Sequence, residues 1–146
     1  MRFPAKSSRG FTLIELLVVL GIISLVLSYA ISSRPNAATA RVTVAARSVA
    51  LTLQLARARA MAGNIETVVR IDADKGEFGM PGAVHALPNG TTVALTIAEN
   101  ERFGNGGGLR FYPDGQSSGG EIVLGLDGRS SRIEVNWLTG EPRLSQ

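Results

Sequence analysis

The sequence predicts an α+β fold in which a long N-terminal helix, membrane-spanning in its first half and amphipathic in its second, packs on a mostly antiparallel β-sheet. Three observations predict it. Residues 11 to 31, FTLIELLVVLGIISLVLSYAI, form an almost wholly apolar run. Residues 37 to 62 continue in a stretch rich in Ala and Leu and free of Gly and Pro. From residue 65 the helical period gives way to short β-branched runs separated by Gly, Pro and Asp turns. A chain of 146 residues leaves room for one small domain beside the apolar segment.

The first ten residues, MRFPAKSSRG, carry Arg2, Lys6 and Arg9 and no acid. The 21 residues that follow reach about 32 Å as a helix, enough for a hydrocarbon core of about 30 Å. Basic residues before the run and a single Arg34 just after it orient the N-terminus to the cytoplasm and the remainder to the far side of the membrane. A cleaved secretory signal is the competing reading, with a site forced after Tyr29-Ala30. Glu15 argues against it. A carboxylate at the centre of a spanning helix costs about 2.5–3.5 kcal/mol, less near the interface, so it needs a partner or a purpose. No Lys, Arg or His between residues 10 and 33 can neutralise it.

Pro35 lacks an N–H and crowds the preceding turn, which predicts a kink or interruption where the helix leaves the membrane. The helix then resumes, and Gly63-Asn64 ends it. At about 100° per residue, Val42, Val49, Leu53, Ala56 and Ala60 share one stripe, while Val44, Leu51, Leu55 and Ala58 share an almost opposite one. Arg41, Ser48, Thr52 and Arg59 occupy one seam between them; Thr43, Arg47, Gln54 and Arg57 occupy the other. Two opposed apolar stripes need two surfaces, either two layers of one domain or one domain and neighbouring molecules. Which stripe faces inward is open at this level.

Strands are expected over Ile65 to Ile71, Glu77 to Met80, Thr91 to Ile97, Leu109 to Tyr112, Glu121 to Leu126 and Arg129 to Trp137. Asp74-Lys75-Gly76 and Pro113-Asp114-Gly115 supply tight turns. Asp127-Gly128 is the strongest hairpin signal in the chain.

Catalytic readings find little. With no Cys and one His, disulfides, thiolate chemistry and multi-histidine metal centres are excluded. His85 lies in the strand-like run Ala83-Val84-His85-Ala86-Leu87 with no companion motif, so a structural role is expected. There is no GxSxG elbow. Seven of the 17 residues from Gly104 to Gly120 are Gly, but neither phosphate-loop pattern is present, and turns account for them. Asp72, Asp74 and Glu77 offer part of a Ca²⁺-loop spacing and fit a solvated hairpin better. Arg129, Arg132 and Arg143 are interspersed with Glu121, Asp127, Glu134 and Glu141, a mixed surface that disfavours nucleic acid. No enzyme activity, cofactor or metal is expected.

The segment Gly10-Phe11-Thr12-Leu13-Ile14-Glu15-Leu16-Leu17-Val18-Val19 resembles the leader junction of the type IV pilin and type II secretion pseudopilin superfamily. The resemblance implies that a prepilin peptidase cuts between Gly10 and Phe11, that the new Phe11 amine is methylated, and that Glu15 pairs with the Phe11 amine of a neighbouring protomer during filament assembly. An α-amino group titrates near 8 and is cationic at neutral pH, which suits that pairing.

A second resemblance covers residues 106 to 144. Leu109-Arg110-Phe111, Pro113-Asp114-Gly115, Gly119-Gly120 and Thr139-Gly140 are similar to the hallmark of the H-type minor pseudopilins. The FimT and FimU minor pilins share this domain family and are the alternative. The implied organisation is a leader over 1–10, a transmembrane segment over 11–31, an amphipathic continuation over 32–63 and a periplasmic β domain over 64–146, in a type IV pilin-like fold. The implied role is structural, at or near the tip of a type II secretion pseudopilus. Implied partners are prepilin peptidase, major and minor pseudopilins, the inner-membrane assembly platform and inner-membrane lipid. Loss of the leader removes three of the 15 basic side chains and none of the 12 acidic ones, so the charge of +3 belongs to the leader.

Overall fold

The computed structural model describes residues 11–32 and 37–145. The leader, with Gly10, and the expected kink at Pro35 lie outside the described residues.

Among the described residues the N-terminal unit holds one helix, α1 (Leu13–Ser32). Thr12 caps it: its hydroxyl accepts the Glu15 N–H at 3.3 Å, and its carbonyl accepts the N–H groups of Glu15 and Leu16. Ser24 and Ser28 return their hydroxyls to the carbonyls of Leu20 and Ser24, each at 2.8 Å, so neither leaves an unpaired polar group in an apolar segment. Residues 11–31 are all solvent-exposed, and Leu13–Ile31 is long and apolar enough to cross a membrane. With no protein covering it, such a surface is suited to lipid or to other apolar helices.

The second unit holds α2 (Ala37–Gly63) and, among the described residues, nine strands. They are β1 (Thr67–Asp72), β2 (Glu77–Met80), β3 (Ala83–Ala86), β4 (Thr92–Thr96), β5 (Arg102–Phe103), β6 (Gly106–Phe111), β7 (Gly120–Leu126), β8 (Arg129–Val135) and β9 (Pro142–Ser145). A short 3₁₀ turn, Glu99–Glu101, precedes β5. Asn64, at φ 50°, takes the left-handed position that ends α2, and the Ile65 N–H closes on the Ala60 carbonyl at 3.2 Å. This is the C-terminal cap expected of Gly63-Asn64, with the asparagine adopting the special backbone.

One sheet is expected and two are found, in the orders β3-β2-β1-β6-β5 and β4-β7-β8-β9, antiparallel throughout. The division is made by the crossover from β4 to β6. Ile97 presses on Gly107, where any Cβ would collide with its side chain, and β6 pairs with β1, placing Leu109 opposite Val69. A pairing of residues 40 apart leaves no mark in local periodicity. The expected strand Arg129 to Trp137 stops at Val135 because the Asn136 side chain accepts the N–H groups of Leu138 and Thr139, turning the chain. Asp127 and Gly128, at φ 50° and 74°, make the tight β7–β8 turn.

The core settles which stripe of α2 faces inward. Val42, Val49, Leu53, Ala56 and Ala60 are buried against Val69, Ile71, Leu109 and Phe111 of the first sheet and Ile122, Leu124, Ile133 and Val135 of the second. The opposite stripe is bare: Val44 is 65% exposed, Leu51 63% and Leu55 59%. Both sheets therefore share one face of α2, and the helix is not sandwiched between two layers.

Candidate functional site

At the start of α1, Phe11 is 76% exposed and Glu15 occupies the first turn. Thr12-x-x-Glu15 is a capping-box pattern, but only the Thr12 half of it is made. Among the described residues the Glu15 carboxylate accepts no side-chain hydrogen bond and enters no ion pair. An acid in the first turn gains about 0.3–1 kcal/mol from the helix dipole at an exposed site, less than its cost within lipid.

Within the second unit the folded chain gathers dispersed hallmark residues around one arginine. The Arg57 Nε donates to the Gly115 carbonyl at 3.1 Å, tying α2 to the Pro113-Asp114-Gly115 turn. That turn closes by the Gly115 N–H on the Tyr112 carbonyl, and the Asp114 carboxylate accepts the Gln116 N–H. Gly140, at φ 64°, sits where a Cβ would strike the Gly115 carbonyl and lie 3.1 Å from both Cδ and Nε of Arg57. Gly119 leaves room for Trp137, whose Cβ would stand 2.9 Å from an added methyl. Ser117 ties the turns together. Its N–H donates to the Trp137 carbonyl, its hydroxyl donates to the Asn136 carbonyl, and the same oxygen accepts the Gly119 N–H. The hallmark is therefore a packing and turn device, with no nucleophile or acid–base pair within it. Arg57, Ser117 and Asn136 were not singled out from the sequence. Asn136, three residues before Thr139, carried an Asx-turn signal that could have identified it.

Arg110, between the hallmark residues Leu109 and Phe111, points away from the core. It donates to buried Glu101 at 2.7 Å through Nε and to Glu66 at 2.9 Å through Nη1. These hydrogen bonds, to Glu101 first and then Glu66, hold the guanidinium above its already high range, with burial opposing. The pair fastens the crossover onto the first sheet.

The remaining candidates are dispersed. His85 is exposed on β3 and its ring lies 5.6 Å from that of Phe78, with no acid–base companion. Asp72 accepts the N–H groups of Asp74 and Lys75, and Asp74 accepts from Asn105 at 2.9 Å, the bonding of a closed polar turn. Among the described residues no group of three or more potential metal ligands converges. Arg132 pairs with Glu121 at 2.7 Å and Arg143 lies opposite Glu134 in the sheet, while Arg129 stands exposed beside the β7–β8 turn.

A fully exposed apolar helix headed by Phe-Thr-x-x-Glu and long enough to cross a membrane, followed by a helix carrying antiparallel sheets on one stripe, defines a pilin-like protein. Comparison with known proteins narrows the class. Residues 5–31 match the prokaryotic N-terminal methylation motif, and residues 45–140 match the family of the type II transport protein GspH. Type II secretion system protein H of Xanthomonas campestris pv. campestris is 30% identical over 141 residues, covering 94% of this chain and 83% of that protein. The chain belongs to the GspH family, the H-type pseudopilins of type II secretion. The minor pseudopilin EpsH from the type 2 secretion system of Vibrio cholerae shares the fold, with a TM-score of 0.58 and 17% identity over 72% of this chain and 96% of that one. The type IV minor pilin FimU of Pseudomonas aeruginosa does so equally, at 0.58 and 14% over 72% and 88%. The proteins matched are named as secretion-system, pseudopilin and pilin components, none as an enzyme. The fold alone does not separate the two filament systems; the GspH family match and the Xanthomonas relative both belong to type II secretion.

Proposed function

We propose that this chain is a structural minor pseudopilin that is cut between Gly10 and Phe11, methylated on Phe11, stored in the inner membrane with its β domain in the periplasm, and drawn into the pseudopilus at or near its tip. There it helps a growing filament push folded proteins through the outer membrane. The observation that carries the reading is Glu15, a carboxylate in an exposed apolar helix with no partner among the described residues. A cationic amine at Phe11 of a neighbouring subunit answers its charge. In low dielectric such a pair sets register more than it adds stability. Major and minor pseudopilins, the peptidase and the assembly platform are the partners this reading requires.

The test separates processing from assembly. Gly10→Ala leaves the precursor uncut on immunoblots. Glu15→Ala is cut normally but is recovered in sheared filaments at less than about a tenth of the wild-type amount, a loss of at least about 1.4 kcal/mol. Wild-type recovery of Glu15→Ala would remove the role given to that carboxylate. The alternative, a type IV minor pilin, draws on the equal likeness to FimU. Deleting the gene distinguishes them: type II substrates accumulate in the periplasm in the first case, and surface pili are lost in the second.

A further inference from the structure

The two sheets end in four edge strands, and three of them carry devices against further pairing. β5 is two residues long and begins with Arg102. β9 begins with Pro142, which has no N–H to offer, followed by Arg143. β4 has a guanidinium against it, the Arg102 Nη2 donating to the Leu95 carbonyl at 3.4 Å. β3 has none of these. Its residues Ala83-Val84-His85-Ala86 include no Lys, Arg, Asp, Glu or Pro, all four are exposed, and among the described residues β2 is the only strand paired with it.

The register shows which backbone groups β3 leaves free. The Leu87 N–H donates to the Gly76 carbonyl at 2.7 Å, so residues 76 and 87 occupy a hydrogen-bonded position of the ladder. Such positions alternate along antiparallel strands, which makes Phe78–His85 and Met80–Ala83 the next bonded pairs. Val84 and Ala86, opposite Gly79 and Glu77, therefore turn their N–H and C=O groups to the outer edge. The His85 side chain lies on the same face as Phe78, ring centroids 5.6 Å apart.

We infer that β3 pairs antiparallel with β3 of a second copy of this chain, about a two-fold axis at His85. In that register Val84 of each copy faces Ala86 of the other, and the free N–H and C=O groups of both copies close four hydrogen bonds. His85 meets His85 in the non-bonded position between them, with Cα atoms about 4.5 Å apart. Behind each histidine stands Phe78, so a row of four rings crosses the join, extending a cross-strand pair that each chain already makes. This row selects a second copy over an unrelated strand. Shifting the register by two residues sets Pro88, which lacks an N–H, opposite Val84, or sets Gly82, outside the strand, opposite Ala86. The two-fold also closes the assembly, because the combined sheet then ends on both sides in the short, arginine-bearing β5. An edge otherwise open to indiscriminate pairing is thereby covered. The surface is one that the filament reading does not use, and the inference stands apart from that reading.

Four backbone hydrogen bonds make a modest contact, so a trapped disulfide is its proper readout. The chain has no Cys, and an introduced thiol reports this register alone. The full-length His85→Cys variant, oxidised in its host's membranes and in detergent micelles, is expected to link into a dimer, because a Cα spacing of about 4.5 Å lies within the range of about 4.4–6.8 Å that a disulfide spans. Val84→Cys or Ala86→Cys alone sits diagonal to its own copy, about 7–8 Å away, and links at least fivefold less. Mixing those two variants restores the link. Val84→Pro removes an outward N–H and spares the bonds to β2, and it is expected to cut the His85→Cys yield at least tenfold with thermal unfolding unchanged. Should it unfold the chain, Val84→Lys serves in its place, with a several-fold loss. Equal yields at positions 84, 85 and 86, a His85→Cys yield indifferent to an edge substitution, or adducts with other proteins in place of the chain's own dimer would overturn the inference.

Discussion

Arg57 reaches from α2 to a carbonyl 58 residues further along the chain, and Gly140 is glycine because that reach leaves no space for a side chain. An alanine at 140 meets two penalties, the left-handed backbone at φ 64° and a collision with the Gly115 carbonyl. Gly140→Ala is therefore expected to cost about 2 kcal/mol or more. Arg57→Ala, which loses one partly exposed hydrogen bond and some stem packing, costs about 1 kcal/mol. Urea unfolding of the detergent-solubilised chain measures both. Because the obstruction at Gly140 is backbone as well as side chain, removing Arg57 relieves it only in part, and the double variant stays below Arg57→Ala in midpoint. A double variant with the same midpoint as Arg57→Ala would show that the Gly115 carbonyl moves freely. The hallmark glycines were legible in the sequence as a pattern. Their reason was not, because it lies in groups distant in sequence, the Gly115 carbonyl and Arg57 for Gly140 and Trp137 for Gly119.

At the scale of elements, the two stripes of α2 were visible in the sequence, but their assignment needed the sheets. Leu51 and Leu53 are chemically identical and two residues apart, yet one is 63% exposed and the other fully buried. Leu53→Arg places a charge among Phe111, Leu124 and their neighbours, and is expected to abolish folding or lower stability by at least about 4 kcal/mol. Leu51→Arg changes stability by no more than about 0.5 kcal/mol while reducing recovery in filaments. Thermal unfolding and filament fractionation of both variants check this; equal effects on both readouts would contradict the assignment. The turns at Asp127-Gly128 and Pro113-Asp114-Gly115 announce themselves because their backbone demands are local. β5, β9 and the split into two sheets do not. β5 has two residues, and β9 is fixed only by its pairing with β8, Val135 opposite Pro142. β3 shows in the sequence only as the strand-like run around His85: its four side chains are all exposed, so the alternation that marks a half-buried strand is missing.

For the whole molecule, charge placement and topology are the same question. The leader carries Arg2, Lys6 and Arg9, and beyond the apolar segment Arg34 is followed by Arg41 and Arg47 on α2. Charges within about 15–20 residues of a span weigh on its orientation, so the leader is opposed by cations on the other side. Its advantage is position: all three lie within nine residues of Phe11, with no acid among them, whereas Arg41 and Arg47 belong to a helix that folds with the β domain. The proposed periplasmic placement thus depends on ten residues that the proposed peptidase then removes, leaving side chains of balanced sign, twelve basic and twelve acidic. Replacing Arg2, Lys6 and Arg9 together with Gln is expected to lower the activity of a C-terminal alkaline phosphatase fusion several-fold, since that reporter works only outside the cytoplasm. Changing Arg34 to Gln in the same chain restores part of the activity, because it weakens the opposing side. If the leader triple left reporter activity and Gly10 cleavage unchanged, orientation would have to come from the apolar segment or the translocated domain, and the leader would be a peptidase recognition sequence alone.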